Sequence, residues 1–180
     1  MDQKINVVFD INVYVRGFAN SSKDDFNCFE AVKINPNLCL VTSKHIVKNA
    51  FSISRDQVGY SRQDAENLLT FLRSMSLSSK LIYKDTDPFV SKNNTIGDLE
   101  LEDSYIFRLT LDSESSILVT NDSGFERVRN FTRDIAIVSP ARFIKLTSPK
   151  KPPTKPSLGL QFGMNPLDFQ PGQGGLGRQI

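Results

Sequence analysis

The sequence has few of the residues on which disulfide-rich and histidine-based metalloproteins depend. It contains two cysteines, Cys28 and Cys39, one histidine, His45, and no tryptophan. Two cysteines are too few for a disulfide framework, and these two do not form a metal-spaced pair. One histidine excludes any site that needs two imidazole ligands. A reducing cytoplasm is therefore the expected compartment.

Long hydrophobic runs are also missing from the sequence. No stretch reaches the roughly 18 apolar residues that a membrane span needs. The N-terminus has neither the long apolar region nor the small-residue cleavage site of a secretory signal. We therefore expect no membrane partner. The hydrophobic content, 39% of 180 residues, is enough for one core and excludes wholesale disorder.

Positive charge, proline and glycine are concentrated at the C-terminal end. The net charge is +2, but residues 148–180 carry +3 and the other 147 residues carry −1. The same segment holds six of the nine prolines and six of the ten glycines. We expect residues 1–147 to form one domain and residues 148–180 to form a basic, disordered tail. Because the domain is not strongly basic, nucleic-acid binding would require local patches of charge.

Short apolar runs alternate in the domain with segments of helical periodicity. The runs predict strands at 5–9, 38–42, 81–83, 117–120 and 135–138. The periodic segments predict helices at 24–34, 44–53, 62–75, 100–112, 123–130 and 140–146, with a polar loop over 85–98. Ser61 is suited to cap the helix that follows it. The alternation predicts an α/β fold, a three-layer α/β/α sandwich around a mostly parallel sheet of about five strands.

Two aspartates follow predicted strands at the point where each strand ends. Asp10 comes directly after the first strand, and Asp122 comes two residues after Thr120, the end of the fourth. Open parallel sheets bind ligands outside the carboxyl ends of their strands. One such aspartate could simply cap the next helix. Two on the same sheet favour a functional site.

A third acid, Asp103, lies in the middle of the apolar face of its predicted helix. On a helical wheel it falls between Ile106 and Phe107. Burying an unpaired carboxylate is costly, so this group must cap the helix, pair with a positively charged side chain or bind a cation. Three carboxylates without histidine are hard oxygen ligands that suit Mg²⁺ or Mn²⁺. These ions activate water and stabilise charge in phosphodiester hydrolysis.

The order of these blocks resembles that of a PIN-domain protein, the fold of VapC-type toxin ribonucleases. The run Val7–Val13, which contains Asp10 and Asn12, is similar to the family's apolar strand with an Asp-x-Asn opening. Asp103–Ile106 followed by Ile117–Asp122 is similar to its Asp-x-x-apolar helix, strand and Thr-x-Asp motif. Ile135–Phe143 resembles its closing strand and helix.

The resemblance implies a divalent-metal-dependent endoribonuclease. Asp10, Asp103 and Asp122 match the family's acidic positions, which hold Mg²⁺ or Mn²⁺. Asn12 and Thr120 match the polar residues that orient the first and the last of these acids. The resemblance also implies RNA as the substrate, a cognate antitoxin as a partner in a toxin–antitoxin pair, and a homodimer.

One position departs from the family pattern. The family places a glutamate in the helix after the second strand, where this chain has Asn49. An amide oxygen can ligate a cation or hold a ligating water, but it brings no charge. We therefore expect weaker metal affinity, above all for a second ion. The alternative is a catalytically impaired PIN-like module that binds RNA or another protein.

Basic side chains lie close in sequence to the candidate acids. Arg16 follows Asp10, Lys48 precedes Asn49, and Arg127 and Arg129 follow Asp122. If the acids line a crevice, these four side chains lie near its rim, where RNA phosphates would run. A solvated charged face is the alternative interpretation.

The sequence Asp10-Ile11-Asn12 after an apolar strand also resembles the opening of haloacid-dehalogenase-like phosphatases. That family needs a second aspartate, two residues after the nucleophile, as general acid. Asn12 cannot donate and retrieve a proton in that way, which disfavours this interpretation.

Overall fold

A computed structural model of the chain describes residues 4–19, 22–57, 61–84, 96, 99–129, 132 and 134–148. The predicted tail at 148–180 lies outside this part of the chain apart from Ser148. Most of the predicted polar loop at 85–98 also lies outside the described residues.

Five parallel strands form a single sheet. They are β1 (Ile5–Phe9), β2 (Leu38–Thr42), β3 (Leu81–Tyr83), β4 (Ile117–Val119) and β5 (Ala136–Val138). Their order is β3-β2-β1-β4-β5, and every neighbouring pair runs parallel. β2 is buried at all five positions, as expected for a parallel strand covered on both faces.

Seven helices occur in the described part of the chain. They are α1 (Ile11–Phe18), α2 (Lys23–Ile34), α3 (Lys44–Gln57), α4 (Arg62–Leu77), α5 (Leu101–Asp112), a 3₁₀ helix (Ser123–Val128) and α6 (Pro140–Thr147). α5 packs against β1 and β4, while α2 packs against β2, α1 and α6. The architecture is a three-layer α/β/α sandwich, so the predicted fold class is confirmed. No helix among the described residues is both long enough and apolar enough to span a bilayer.

An aromatic cluster anchors the end of β1. The ring of Phe9 lies 4.9 Å from that of Phe29 on α2 and 5.7 Å from that of Phe143 on α6, both edge-on. Edge-to-face pairs of this kind add stability beyond the area they bury. Tyr14 of α1 joins the cluster and donates a hydrogen bond of 2.9 Å to Thr42 Oγ1 at the end of β2. The strand end that carries Asp10 is therefore rigidly packed.

Three differences from the sequence-based prediction lie close to the candidate site, and the bounds of the other predicted helices and strands agree with the structure to within four residues. α1 was not predicted, because its β-branched residues favour strands when they are considered alone. The predicted helix at 123–130 is a short 3₁₀ helix that ends at Val128. β4 ends at Val119, so Thr120 lies just beyond the strand.

The strand order reverses direction at β1. β2 and β3 lie on one side of it, and β4 and β5 lie on the other. In open parallel sheets the crevice at such a switch point, outside the carboxyl ends of the strands, is where ligands bind. The carboxyl ends of β1 and β4 therefore define the place to search for a site.

Candidate functional site

Asp10 directly follows β1 and lies inside the crevice. It is the N-cap residue of α1, but its side chain makes no capping hydrogen bond. Instead, Oδ2 accepts a hydrogen bond of 2.7 Å from Thr120 Oγ1. The residue is only 2% exposed. The N–H groups of Ile11 and Asn12 at the start of α1 also act on this carboxylate, so Asp10 faces both the helix start and Thr120.

Thr120 connects Asp10 with Asp122. Its Oγ1 donates to Asp10 and accepts a hydrogen bond of 2.9 Å from the backbone N–H of Asp122. The strand register explains this position, because Phe9 of β1 pairs with Val119 of β4, and Asp10 and Thr120 are the residues that directly follow these two strand ends. Thr120, which the family resemblance implies to be an orienting residue, therefore contacts Asp10 as well as the backbone of Asp122.

Asp103 and Asp122 face the same point beside Gly124. A Cβ atom added to Gly124 would lie 3.1 Å from Asp122 Oδ1 and 3.6 Å from Asp103 Oδ2. Asp122 Oδ1 also accepts a hydrogen bond of 2.7 Å from the Gly124 N–H and so caps the 3₁₀ helix. The absence of a side chain at Gly124 leaves space for both carboxylates. Asp103, half-buried in the first turn of α5, therefore reaches the crevice.

The negative charges of the three carboxylates repel one another. Burial, and after it the negative charges of Asp10, Asp122, Glu100 and Glu102, together raise the pKa of Asp103 to about 6. Burial also raises the pKa of Asp10, against the opposing effects of the Thr120 hydrogen bond and the amides of Asn12 and Ile11. A cation in the crevice would relieve this repulsion.

The donor set suits a hydrated hard cation. Within the described residues, no group of three or more Asp, Glu, His or Cys side chains has an arrangement that could hold a metal ion. Mg²⁺, however, dehydrates reluctantly and is commonly bound through one or two carboxylates while it keeps several waters. The raised pKa values of Asp10 and Asp103 fit that mode of binding, and a closed protein cage is not required.

Asn49 is half-buried on α3 and is held by a neighbouring side chain. Its Nδ2 lies 3.0 Å from Nε2 of His45, one turn earlier. The His45 ring packs 4.5 Å from the ring of Tyr105. Tyr105 Oη donates a hydrogen bond of 2.9 Å to Ser43 Oγ. Asn49 is therefore tied to the helix that carries Asp103 through His45, with its amide turned to the imidazole.

The other predicted site residues occupy varied positions. Asn12 is exposed in the first turn of α1, Lys48 is exposed on α3, and Arg127 is exposed on the 3₁₀ helix. Arg129 pairs with Glu126 at 2.9 Å and donates to the Ile137 carbonyl at 3.1 Å. It also borders a cleft of about 230 Å³ beside Thr120 and Asp122, so it lies next to the acidic crevice.

Asp25 is a buried acid near the site that the sequence reasoning missed. It is 1% exposed, and its Oδ1 accepts a hydrogen bond of 3.1 Å from Asn121 Nδ2. Its Oδ2 lies 3.3 Å from Arg16 Nε, an ion pair without hydrogen-bond geometry. The hydrogen bond with Asn121 holds the turn that precedes Asp122. The ion pair with Asp25 engages the guanidinium of Arg16. The signal was present, because positions 25, 28, 29 and 32 form the buried stripe of α2.

A scan against protein-family models finds no match for the chain, and a search of the curated proteins finds no match either.

Proposed function

We propose that the chain is a divalent-metal-dependent endoribonuclease that hydrolyses RNA phosphodiester bonds. The observation that carries this proposal is the convergence of Asp10, Asp103 and Asp122 at the switch point of the sheet. The similarity of these motifs to those of PIN-domain proteins supports the same activity. The acids approach one another without histidine, which favours Mg²⁺ or Mn²⁺ over zinc.

Each residue has a distinct role in this proposal. A bound Mg²⁺ or Mn²⁺ would activate water and stabilise the charge that develops on the phosphate. Asp10, Asp103 and Asp122 would hold the ion. Thr120 keeps one oxygen of Asp10 in a fixed direction and at the same time holds the backbone of Asp122. Gly124 keeps the space between the carboxylates open.

The test is incubation of the purified chain with a panel of single-stranded RNAs in Mn²⁺, in Mg²⁺ and in EDTA. We expect cleavage that needs the metal and disappears in Asp10→Asn. The matched control is Asp134→Asn, because Asp134 precedes β5 and lies at the opposite, amino end of the sheet. Cleavage in EDTA, or full activity of folded Asp10→Asn, would overturn the proposal.

A second candidate function is a PIN-like module that binds RNA or a protein without cleaving RNA. The observation that favours it is Asn49, a neutral residue whose amide group is held by His45. This candidate predicts RNA binding without cleavage at any metal concentration. Gain of cleavage in Asn49→Glu would then identify the missing charge as the cause. Cleavage by the wild-type chain would contradict this candidate.

A further inference from the structure

A groove of about 730 Å³ lies between α3, α4 and the end of β3. Its floor is apolar and includes Phe51, Leu69 and Tyr83. The Tyr83 side chain is available for contact, since the residue is 45% exposed. The groove therefore has two aromatic side chains, Phe51 and Tyr83, in its lining.

The rim of this groove is basic. Lys44, Lys48, Arg55 and Arg62 line it, and none of the described residues that line it is acidic. Arg55 and Arg62 pair with Asp56 and Glu66 at their helix surfaces. Lys44 and Lys48 are one helical turn apart on α3 and thus share a face. The groove therefore suits a ligand that combines negative charge with apolar, planar groups.

The groove lies on the same edge of the sheet as the acidic crevice. Lys44 begins α3 directly after β2, and Tyr83 is the last residue of β3. β2 is the neighbour of β1, whose carboxyl end carries Asp10. Adjacent strands are about 4.8 Å apart. The hydrogen bond from Tyr105 to Ser43 links α5, which carries Asp103, to the residue that precedes Lys44.

We propose that the groove is a subsite for a single-stranded RNA segment next to the bond that is cleaved. The lysines bind phosphates, and Tyr83 and Phe51 receive an unstacked base. Unpaired bases stack on aromatic side chains in single-strand binding sites, whereas a duplex keeps its base faces covered. The inference rests on the proposed ribonuclease function. The four basic side chains that line the groove favour a polyanion as its occupant.

The phosphate part of the proposal is tested by binding rather than by cleavage. A fluorescein-labelled uridine dodecamer is titrated against the chain with the Asp10→Asn substitution, in EDTA, and its anisotropy is followed at several salt concentrations. We expect Lys44→Ala/Lys48→Ala to raise the Kd about tenfold. Its salt slope should fall by about 1.4, since each lost phosphate contact on a single strand contributes about 0.7.

The matched control is Lys23→Ala/Lys145→Ala, which removes the same charge from exposed positions on α2 and α6. We expect its Kd and salt slope to equal those of the parent. An equal loss of RNA affinity in both double variants would mean that RNA responds only to the net charge of the protein, and it would overturn the subsite.

The base-binding part is tested with Tyr83→Ala. We expect the uridine dodecamer to bind about fivefold or more weakly, the effect of losing one stacking surface. An abasic dodecamer of equal charge should bind both proteins alike. A 12-base-pair RNA duplex should bind more weakly than the single strand. Unchanged uridine binding in Tyr83→Ala would overturn the proposal, and so would tighter binding of an acidic Glu/Leu dodecapeptide than of RNA.

These outcomes separate the subsite from the proposed function. If the groove variants lose RNA affinity but the wild-type chain never cleaves RNA, the groove stands as a binding site for single-stranded RNA and the ribonuclease proposal fails. If the chain cleaves RNA but the groove variants bind the dodecamer normally, the ribonuclease proposal stands and the subsite fails.

Discussion

At the residue scale, the site is defined by carboxylates that lie close enough to raise one another's pKa. Asp103 has a pKa raised to about 6, first by burial and then by Asp10 and Asp122. The folded state therefore binds the Asp103 proton more tightly than the unfolded state does. The stability that this proton contributes is complete below the unfolded value of 3.8 and is lost as pH rises through about 6.

Asp103→Asn should therefore stabilise the metal-free chain in a pH-dependent way. We expect its Tm to exceed that of the wild type by a few degrees at pH 8, where the wild-type carboxyl is ionised. At pH 4 the two Tm values should be close, because the wild-type group is protonated in the folded state. Scanning calorimetry measures the Tm of both proteins at both pH values. A Tm difference of the same size at pH 4 and pH 8 would contradict the electrostatic explanation.

Thr120 should matter for catalysis more than for folding. Thr120→Val keeps the shape of the side chain but removes the hydroxyl that holds Asp10 and Asp122. We expect cleavage to fall by about 10–100-fold, the range observed when partners of metal ligands are removed. Thr120→Ser should retain most of the rate. The control is Thr110→Val, whose hydroxyl bonds to the Ile106 carbonyl within α5. An equal loss of rate in this control would contradict the role of Thr120.

Part of the candidate site could be predicted because strand ends are readable from the sequence of one chain. Asp10 and Asp122 follow apolar strands, and Asp103 interrupts an apolar helix face. The burial of Asp25 was readable from the stripe on α2, but its contacts with Arg16 and Asn121 were not, because these partners belong to other elements. The bond between Asn49 and His45 was likewise not evident, because rotamers at one-turn spacing are set by packing against Tyr105.

At the element scale, the helices that begin with strong caps were the easiest to predict. α4 begins after Ser61, whose Oγ accepts from the Asp64 N–H at 3.2 Å while Asp64 Oδ2 accepts from the Ser61 N–H at 3.0 Å. This reciprocal pair is a capping box. α1 lacks a capping hydrogen bond from the side chain of Asp10 and begins one residue after a strand, so no local signal separates it from β1.

Ser61→Ala should therefore weaken the start of α4. We expect the free energy of unfolding to fall by about 1 kcal/mol, which is typical for loss of a serine cap. The urea midpoint measures this change. The control is Ser76→Ala, since Ser76 is exposed in the last turns of the same helix and caps nothing at its start. A larger loss in Ser76→Ala than in Ser61→Ala would contradict the capping role.

At the scale of the whole molecule, the alternation of strands and helices predicted the layers but could not predict the order of the strands. Strand order depends on contacts between residues far apart in sequence, such as Phe9 with Val119. That order is what makes β1 and β4 neighbours and brings Asp10 next to Thr120. Without the strand order, the sequence alone does not show that Asp10 and Asp122 lie near each other.

The central claim is that these aspartates together bind a divalent cation, and a direct titration of Mn²⁺ tests it. The electron paramagnetic resonance signal of free Mn²⁺ reports how much of the ion remains unbound. We expect the wild-type chain to bind Mn²⁺, Asp10→Asn and Asp122→Asn to bind at least about tenfold more weakly, and Asp134→Asn to match the wild type. No binding by the wild type, or equal binding by all four proteins, would contradict the claim.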